Sequence, residues 1–207
     1  MNYFYEINQK GFRKPSSFYL NSDKMKAEEI DLLALRLKEI ILNSKCENKD
    51  IIFLCIGSDR YTGDALGPLI GSHLEENTDS IVYGTLEQPV HAGNLKAVIA
   101  EIGRHFSRPL IIAIDACLGQ QSEIGHIEIW EGTIEAGIAV GNKLPKTGDI
   151  AMIGIVNAAS SLGYRELQST SLALVMKLVK VLSLMLQNFY REAQQEQEGL
   201  LGQLFGK

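Results

Sequence analysis

Two uninterrupted apolar runs, Ile51-Ile52-Phe53-Leu54-Cys55-Ile56 and Leu110-Ile111-Ile112-Ala113-Ile114, constrain what this chain can fold into. Each has the length of a strand and shows no alternation, which is the pattern of a strand buried on both faces. Such strands belong to parallel sheets covered by helices. Each run also leads to an aspartate: Asp64 in the loop after the first, Asp115 directly after the second. In open sheets of this kind, ligands lie beyond the carboxyl ends of the strands, where strand order reverses. The two aspartates stand where such a fold does its chemistry.

The surrounding periodicities fill in the layers. Apolar residues at helical spacing predict a helix over 23–43, with Ser22 or Asp23 as its cap. A helix over 65–76 carries Pro68 in its first turn, where a missing amide proton is tolerated. A short strand over 81–85 and a helix over 94–106 complete a β-α-β-α-β order. If the strands lie in the order second-first-third, both aspartates project into one crevice, roughly 4.8 Å apart in strand spacing. Beyond Asp115, residues 125–131 alternate Ile127 and Ile129 with His126 and Glu128, which predicts a strand with one exposed face. A glycine-rich loop (Gly132, Gly137, Gly141), a buried strand over 150–156 and a closing helix over 170–190 follow. The expected class is α/β: a three-layer α/β/α domain with a mostly parallel sheet. It spans 23–191, between an extended arm over 1–22 and a polar tail over 192–207.

Bulk composition narrows the function classes. The chain has 207 residues, and 20 basic against 25 acidic side chains give a net charge of −5. These charges are spread out, and no basic face for nucleic acid is evident. The start lacks the basic-then-apolar pattern of a secretory signal. The most apolar segment, Ser171 to Leu186, is broken by Lys177 and Lys180 and reads as too short and too charged for a membrane span. Three cysteines at scattered positions suggest free thiols in a reducing, cytoplasmic compartment. No cysteine or histidine spacing marks a metal site, and no cofactor motif is present, so the expectation is neither metal nor cofactor.

Each candidate residue has a plainer alternative. Asp64 serves equally as a helix N-cap. Asp115 can order its loop through backbone amides, although a carboxylate between apolar segments needs some partner. Together the two can share a proton for acid–base hydrolysis or hold a divalent ion. Asp59 sits among turn formers, and Arg60 beside it is either a substrate contact or a solvated loop residue. Gly141, Asn142 and Lys143 combine flexible backbone, an amide and a cation, fit to meet a substrate carbonyl or to form an ordinary hairpin. Cys117 lacks a placed histidine and reads as a buried thiol. His73, His91, His105 and His126 read as structural.

Three motifs in order carry a resemblance. Thr62-Gly63-Asp64-Ala65-Leu66-Gly67-Pro68 resembles the Thr-Pro-Asp-Ala-Leu-Gly-Pro segment of the germination proteases of spore-forming bacteria. Ile111-Ile112-Ala113-Ile114-Asp115-Ala116 is similar to their Ile-Ile-Ala-Ile-Asp-Ala segment, and Val140-Gly141-Asn142-Lys143 to a Val-Gly-Asn-Lys segment. Chain length and the Gly57–Asp64 loop look closer still to the small sporulation proteins of the YyaC type. The resemblance implies a phosphorylase/hydrolase-like fold, shared with hydrogenase maturation proteases. It also implies peptide-bond hydrolysis by Asp64 and Asp115, and a protein or peptide substrate such as the small acid-soluble spore proteins. The implied compartment is the spore or forespore, with neither nucleic acid nor membrane as partner. Two further implications stay open: a metal-reading maturation protease on the same fold, and a non-catalytic peptide-binding protein. This chain departs from the germination proteases in being much shorter and in having Gly63 where they have proline.

Overall fold

The computed structural model describes residues 16–18, 27–43, 50–135 and 145–205. Its centre is a six-stranded sheet. The first apolar run forms β2 (Ile51–Cys55), counted after a short β1 (Ser16–Phe18). β3 (Ile81–Tyr83) and β4 (Leu110–Gly119) flank β2 on either side, both parallel to it. β6 (Ile150–Ala158) continues the parallel set beyond β4, and β5 (Ile127–Glu131) then pairs antiparallel to β6. β1 closes that edge, antiparallel to β5. The spatial order is β1-β5-β6-β4-β2-β3, so strand order reverses between β2 and β4.

Helices cover both faces. α1 (Ala27–Asn43), α2 (Leu66–Asn77) and the long α5 (Leu172–Phe205), which follows the short α4 (Gly163–Gln168), pack on one side around Phe53, Ile112, Ile114 and Met152. On the other side α3 (Leu95–His105) lays Leu95 and Ile102 over Ile52, Leu54 and Ala113. Residues of β2 and β4 alternate between these two cores, which is why neither run alternates in polarity. The three-layer α/β/α class follows from this arrangement.

Several local expectations change. The extended arm contributes β1, whose pairing makes β5 an interior strand. Glu128 is accordingly only 5% exposed, not on an open face. The strand after Leu110 does not stop at Ile114: β6 is long enough to hold it through Gly119, with a register shift between Cys117 and Leu118. On α1, Leu33, Leu37 and Ile40 face the core while Leu32, Leu35 and Leu42 face outward. The proposed caps Ser22 and Asp23 lie outside the described residues.

The closing helix is also longer than its apolar part predicts. It runs on through the Gln- and Glu-rich stretch to Phe205, since that stretch is built of good helix formers with no proline. Leu172–Gln195 is thereby long and apolar enough to cross a membrane by length and composition, against the sequence expectation. Its apolar side is nonetheless used within the fold, with Val175, Leu178, Leu182, Met185, Leu186 and Phe189 buried against the sheet and α1 and α2. A buried helix of this kind should respond to truncation like any core element. Leu182→Ala, at a fully buried position, should cost about 2–5 kcal/mol in urea unfolding. Leu172→Ala, at an exposed one, should stay within about 0.5 kcal/mol. Equal, small effects at both positions would mean the helix is not part of the core.

Candidate active site

The crevice arises because β2 ends before β4 does. The β2–β4 ladder closes at Cys55 opposite Ile114, with a last bond from the Ile56 amide to the Ile114 carbonyl at 2.7 Å. One residue later the chain swings away: Gly57 adopts φ +145° and donates its amide to Val90 at 2.8 Å, beyond β3. A side chain at Gly57 would collide with the Asp64 carbonyl oxygen, and φ is in the range that glycine alone tolerates readily. β4 meanwhile continues beside β6, with Asp115 level with Ile153. Asp115 therefore has a neighbouring strand on one flank and a gap on the other.

The loop after β2 delivers Asp64 into that gap. Residues 63–65 form a short 3₁₀ turn, in which the Asp64 and Ala65 amides donate to the Tyr61 carbonyl at 3.0 and 3.1 Å. The Asp64 carbonyl accepts from the Ser58 amide at 3.1 Å, tying the loop's ends together. Gly67 then lets α2 approach closely, since a Cβ there would strike the Ile56 carbonyl. The turn is also pinned from behind. Gly63 packs against Thr170 and Leu167, and Asn157 at the end of β6 donates to the Glu166 carbonyl at 2.9 Å. Thr170 Oγ1 donates to the same carbonyl at 2.7 Å. The N-cap expectation for Asp64 is corrected here: it lies within the turn, and neither the turn nor α2 has a side-chain cap bond.

Both carboxyls keep some accessible surface while protein encloses them on most sides. Burial raises the Asp64 carboxyl to about 6, with the Ser58 amide pulling slightly the other way. Asp115 is raised well above the carboxylate range, first by burial and then by the charge of Asp64. One backbone bond, from the Ala116 amide to Asp115 Oδ1 at 2.8 Å, opposes this. Both shifts favour the protonated form, and Asp115 also feels the charge of Asp64, an arrangement of two carboxyls that suits general acid–base chemistry.

The other sequence candidates fall elsewhere. Asp59 and Arg60 are exposed on the turn leading to Asp64, where the Arg60 amide donates to Ser58 Oγ at 3.3 Å. Gly141, Asn142 and Lys143 lie outside the described residues. Cys117 sits two residues along β4 from Asp115, and its thiol is pushed up to about 12 by burial, then by Asp115, Glu128 and Glu123. It stays protonated and is no nucleophile. Among the described residues no three His, Cys, Asp or Glu side chains are grouped to hold a metal ion. Sequence reading missed Asn157 and Glu128. Asn157 had a signal, since it ends the apolar run Ile150–Val156 as Asp115 ends its own. Glu128 had none, because alternation with Ile127 and Ile129 reads as an exposed face whatever covers it.

Residues 19–185 match the family described as "Protein of unknown function (DUF1256)". The chain belongs to the DUF1256 family. A curated relative, "Uncharacterized protein YyaC" of Bacillus subtilis (strain 168), is 40% identical over 184 residues, covering 86% of this chain and 87% of the relative. Among solved structures, the [NiFe] hydrogenase maturation protease HycI from Thermococcus kodakarensis KOD1 matches with a TM-score of 0.49 at 16% identity. That match covers 75% of this chain and 99% of HycI. Both aspartates of the crevice fall within the segment matched to the DUF1256 family.

The raised carboxyls carry a stability cost whose sign is fixed. Asp64 binds its proton more tightly folded than unfolded, so folding loses stability as pH rises from about 4 through about 6. Above that range the full penalty is present. Asp64→Asn should therefore stabilise the protein by about 2 kcal/mol at pH 8 and hardly at all at pH 4. Chemical unfolding at the two pH values checks this. A variant destabilised at both would point to a structural role for the carboxylate.

Proposed function

We propose that this protein is a peptide-bond hydrolase whose reacting groups are Asp64 and Asp115 acting as one unit. The observation that carries the reading is the convergence of two largely enclosed carboxyls, Asp64 and Asp115, at the strand-order switch point, where the charge of Asp64 helps to hold Asp115 above its ordinary value. Ionised Asp64 takes a proton from a water molecule as its oxygen attacks the substrate carbonyl. Asp115 donates its proton first to the developing oxyanion and, as the tetrahedral intermediate collapses, the proton now on Asp64 passes to the leaving amine. The carbonyl then re-forms and returns its proton to Asp115, so the pair regains its starting state. No step needs a metal ion.

The resemblance to germination proteases and small sporulation proteins supports a spore or forespore setting and small acid-soluble spore proteins as the first substrates to offer. Asp59 and Arg60, exposed beside the crevice, would contact the polypeptide, with the Gly141-Asn142-Lys143 loop assisting.

The test offers those spore proteins to wild type, Asp64→Asn, Asp115→Asn and the double variant, and follows cleavage by mass spectrometry. Each single substitution should lower the rate by about 10²–10⁴-fold, and the double should lower it little further, because groups acting together are strongly non-additive. Wild-type rate should rise as pH increases through about 6, where Asp64 ionises, and fall again where Asp115 loses its proton. Single variants cleaving at the wild-type rate would end the catalytic reading. A wild type that binds these proteins without cleaving them would make the crevice a peptide-binding site.

A further inference from the structure

The far end of β6 carries an irregularity that aims one side chain toward the back of the site. Up to Cys117, β4 and β6 pair in step, with Asp115 level with Ile153 and Cys117 level with Ile155. The register then shifts, and Leu118 is level with Asn157 rather than with Val156. Counting by twos from Ile153 would leave Asn157 on the same face of the sheet as Ile153. The shift sets it level with Leu118 instead, a residue of the opposite core, which also holds Leu167 of α4. Bulges of this kind re-aim a side chain, and they are over-represented beside active sites.

Asn157 uses both ends of its amide there. Its Oδ1 accepts from the Ala158 amide at 2.9 Å, which leaves Nδ2 for α4. Nδ2 donates to the Glu166 carbonyl at 2.9 Å and to Thr170 Oγ1 at 3.4 Å, and Thr170 Oγ1 donates to the same carbonyl at 2.7 Å. Thr170 and Leu167 are both buried, where such bonds are costly to leave unmade. Gly63 rests on this group: a Cβ there would stand 2.8 Å from Thr170 Oγ1 and 3.0 Å from Leu167 Cδ2. Asp64 is the next residue, and its amide and carbonyl are tied to Tyr61 and Ser58 within its own loop. Those bonds shape the loop internally, whereas the contact at Gly63 ties it to the end of β6.

We propose that Asn157 and Thr170 are positioning residues for the carboxyl pair: by seating Gly63 they set where Asp64 stands relative to Asp115. One strand then places both acids. Asp115 is held level with Ile153 through the β4–β6 ladder, and Asp64 is seated through Asn157, four residues further along β6. Gly63 belongs to the same brace, since a side chain there would push the turn off the Thr170 hydroxyl. A clamp that merely stabilised α4 would lower stability when broken and leave Asp64 as it was. A brace for Asp64 changes the surroundings of its carboxyl as well.

The role rests on the hydrolase reading of the pair, but its first readout requires no turnover. Carboxyl resonances of the full chain are followed by NMR across pH in wild type, Asn157→Ala, Thr170→Val, Thr170→Ser and, as a destabilised control, Leu182→Ala. Asn157→Ala and Thr170→Val should move the Asp64 midpoint from about 6 toward the ordinary carboxylate range by about one pH unit, because a loosened turn admits water. Thr170→Ser keeps the hydroxyl and should keep the wild-type midpoint, and Leu182→Ala should leave it unmoved. Unmoved midpoints in Asn157→Ala and Thr170→Val, Thr170→Ser behaving like Thr170→Val, or an equal shift in Leu182→Ala would overturn the brace. A wild-type midpoint already in the ordinary range would overturn it too. Should Asn157→Ala fail to fold, the contrast between Thr170→Val and Thr170→Ser decides alone. On the spore proteins, Asn157→Ala and Thr170→Val should lower kcat about 10–100-fold with KM little changed. A wild type that cleaves nothing while both variants shift the midpoint would remove the hydrolase reading and keep the brace. Cleavage by wild type with midpoint and kcat unmoved in both variants would do the reverse.

Discussion

The mismatch in length between β2 and β4 is the constraint on which the site depends. While the two strands run together, every backbone group between them is paired and no side chain has room to reach across. The moment β2 turns at Gly57, β4 is left with one bare flank, yet β6 keeps it straight for another five residues, through Gly119. Asp115 is thus held on a rigid strand but faces a gap. A loop residue in its place would have been free to turn toward solvent. The glycine at the turn and the close seating of α2 then fix how near Asp64 can come, so backbone packing positions the carboxyls, with backbone amides as their hydrogen-bond donors.

That origin explains the electrostatics. Side-chain donors would have held both carboxylates ionised, like an ordinary salt-bridged pair. Here the described surroundings give one backbone bond to Asp115 and little else, so burial and mutual repulsion dominate. Against that cost stand two separate apolar cores, one on each face of the sheet.

Much of this was legible in the sequence, for a physical reason. Strands buried on both faces leave a continuous apolar signature, so β2, β4 and β6 and the aspartates at their ends could be placed from residue types alone. The second-first-third order entered only as the condition that brings the aspartates together, and the sheet meets it, with β2 between β3 and β4. What escaped detection depended on pairing between distant segments. β4 looked as though it ended at Ile114, because a polar residue reads as an end when the supporting strand is unknown. Glu128 looked exposed because alternation says which residues share a face, not what covers that face. The capping role offered for Asp64 failed for a related reason: composition marks a helix start but not the tight turn inserted before it.

The burial of α5 has a consequence for how the molecule is made. The helix that completes this face beside α1 and α2 is the last described element in chain order, separated from β2 by more than a hundred residues. During synthesis on the ribosome, α1, α2 and the first strands emerge with their apolar surfaces uncovered and must wait for it. The waiting segment is itself greasy enough to be taken for a membrane span. The sheet face that α1 and α2 leave open is therefore covered only after nearly the whole described chain has been made.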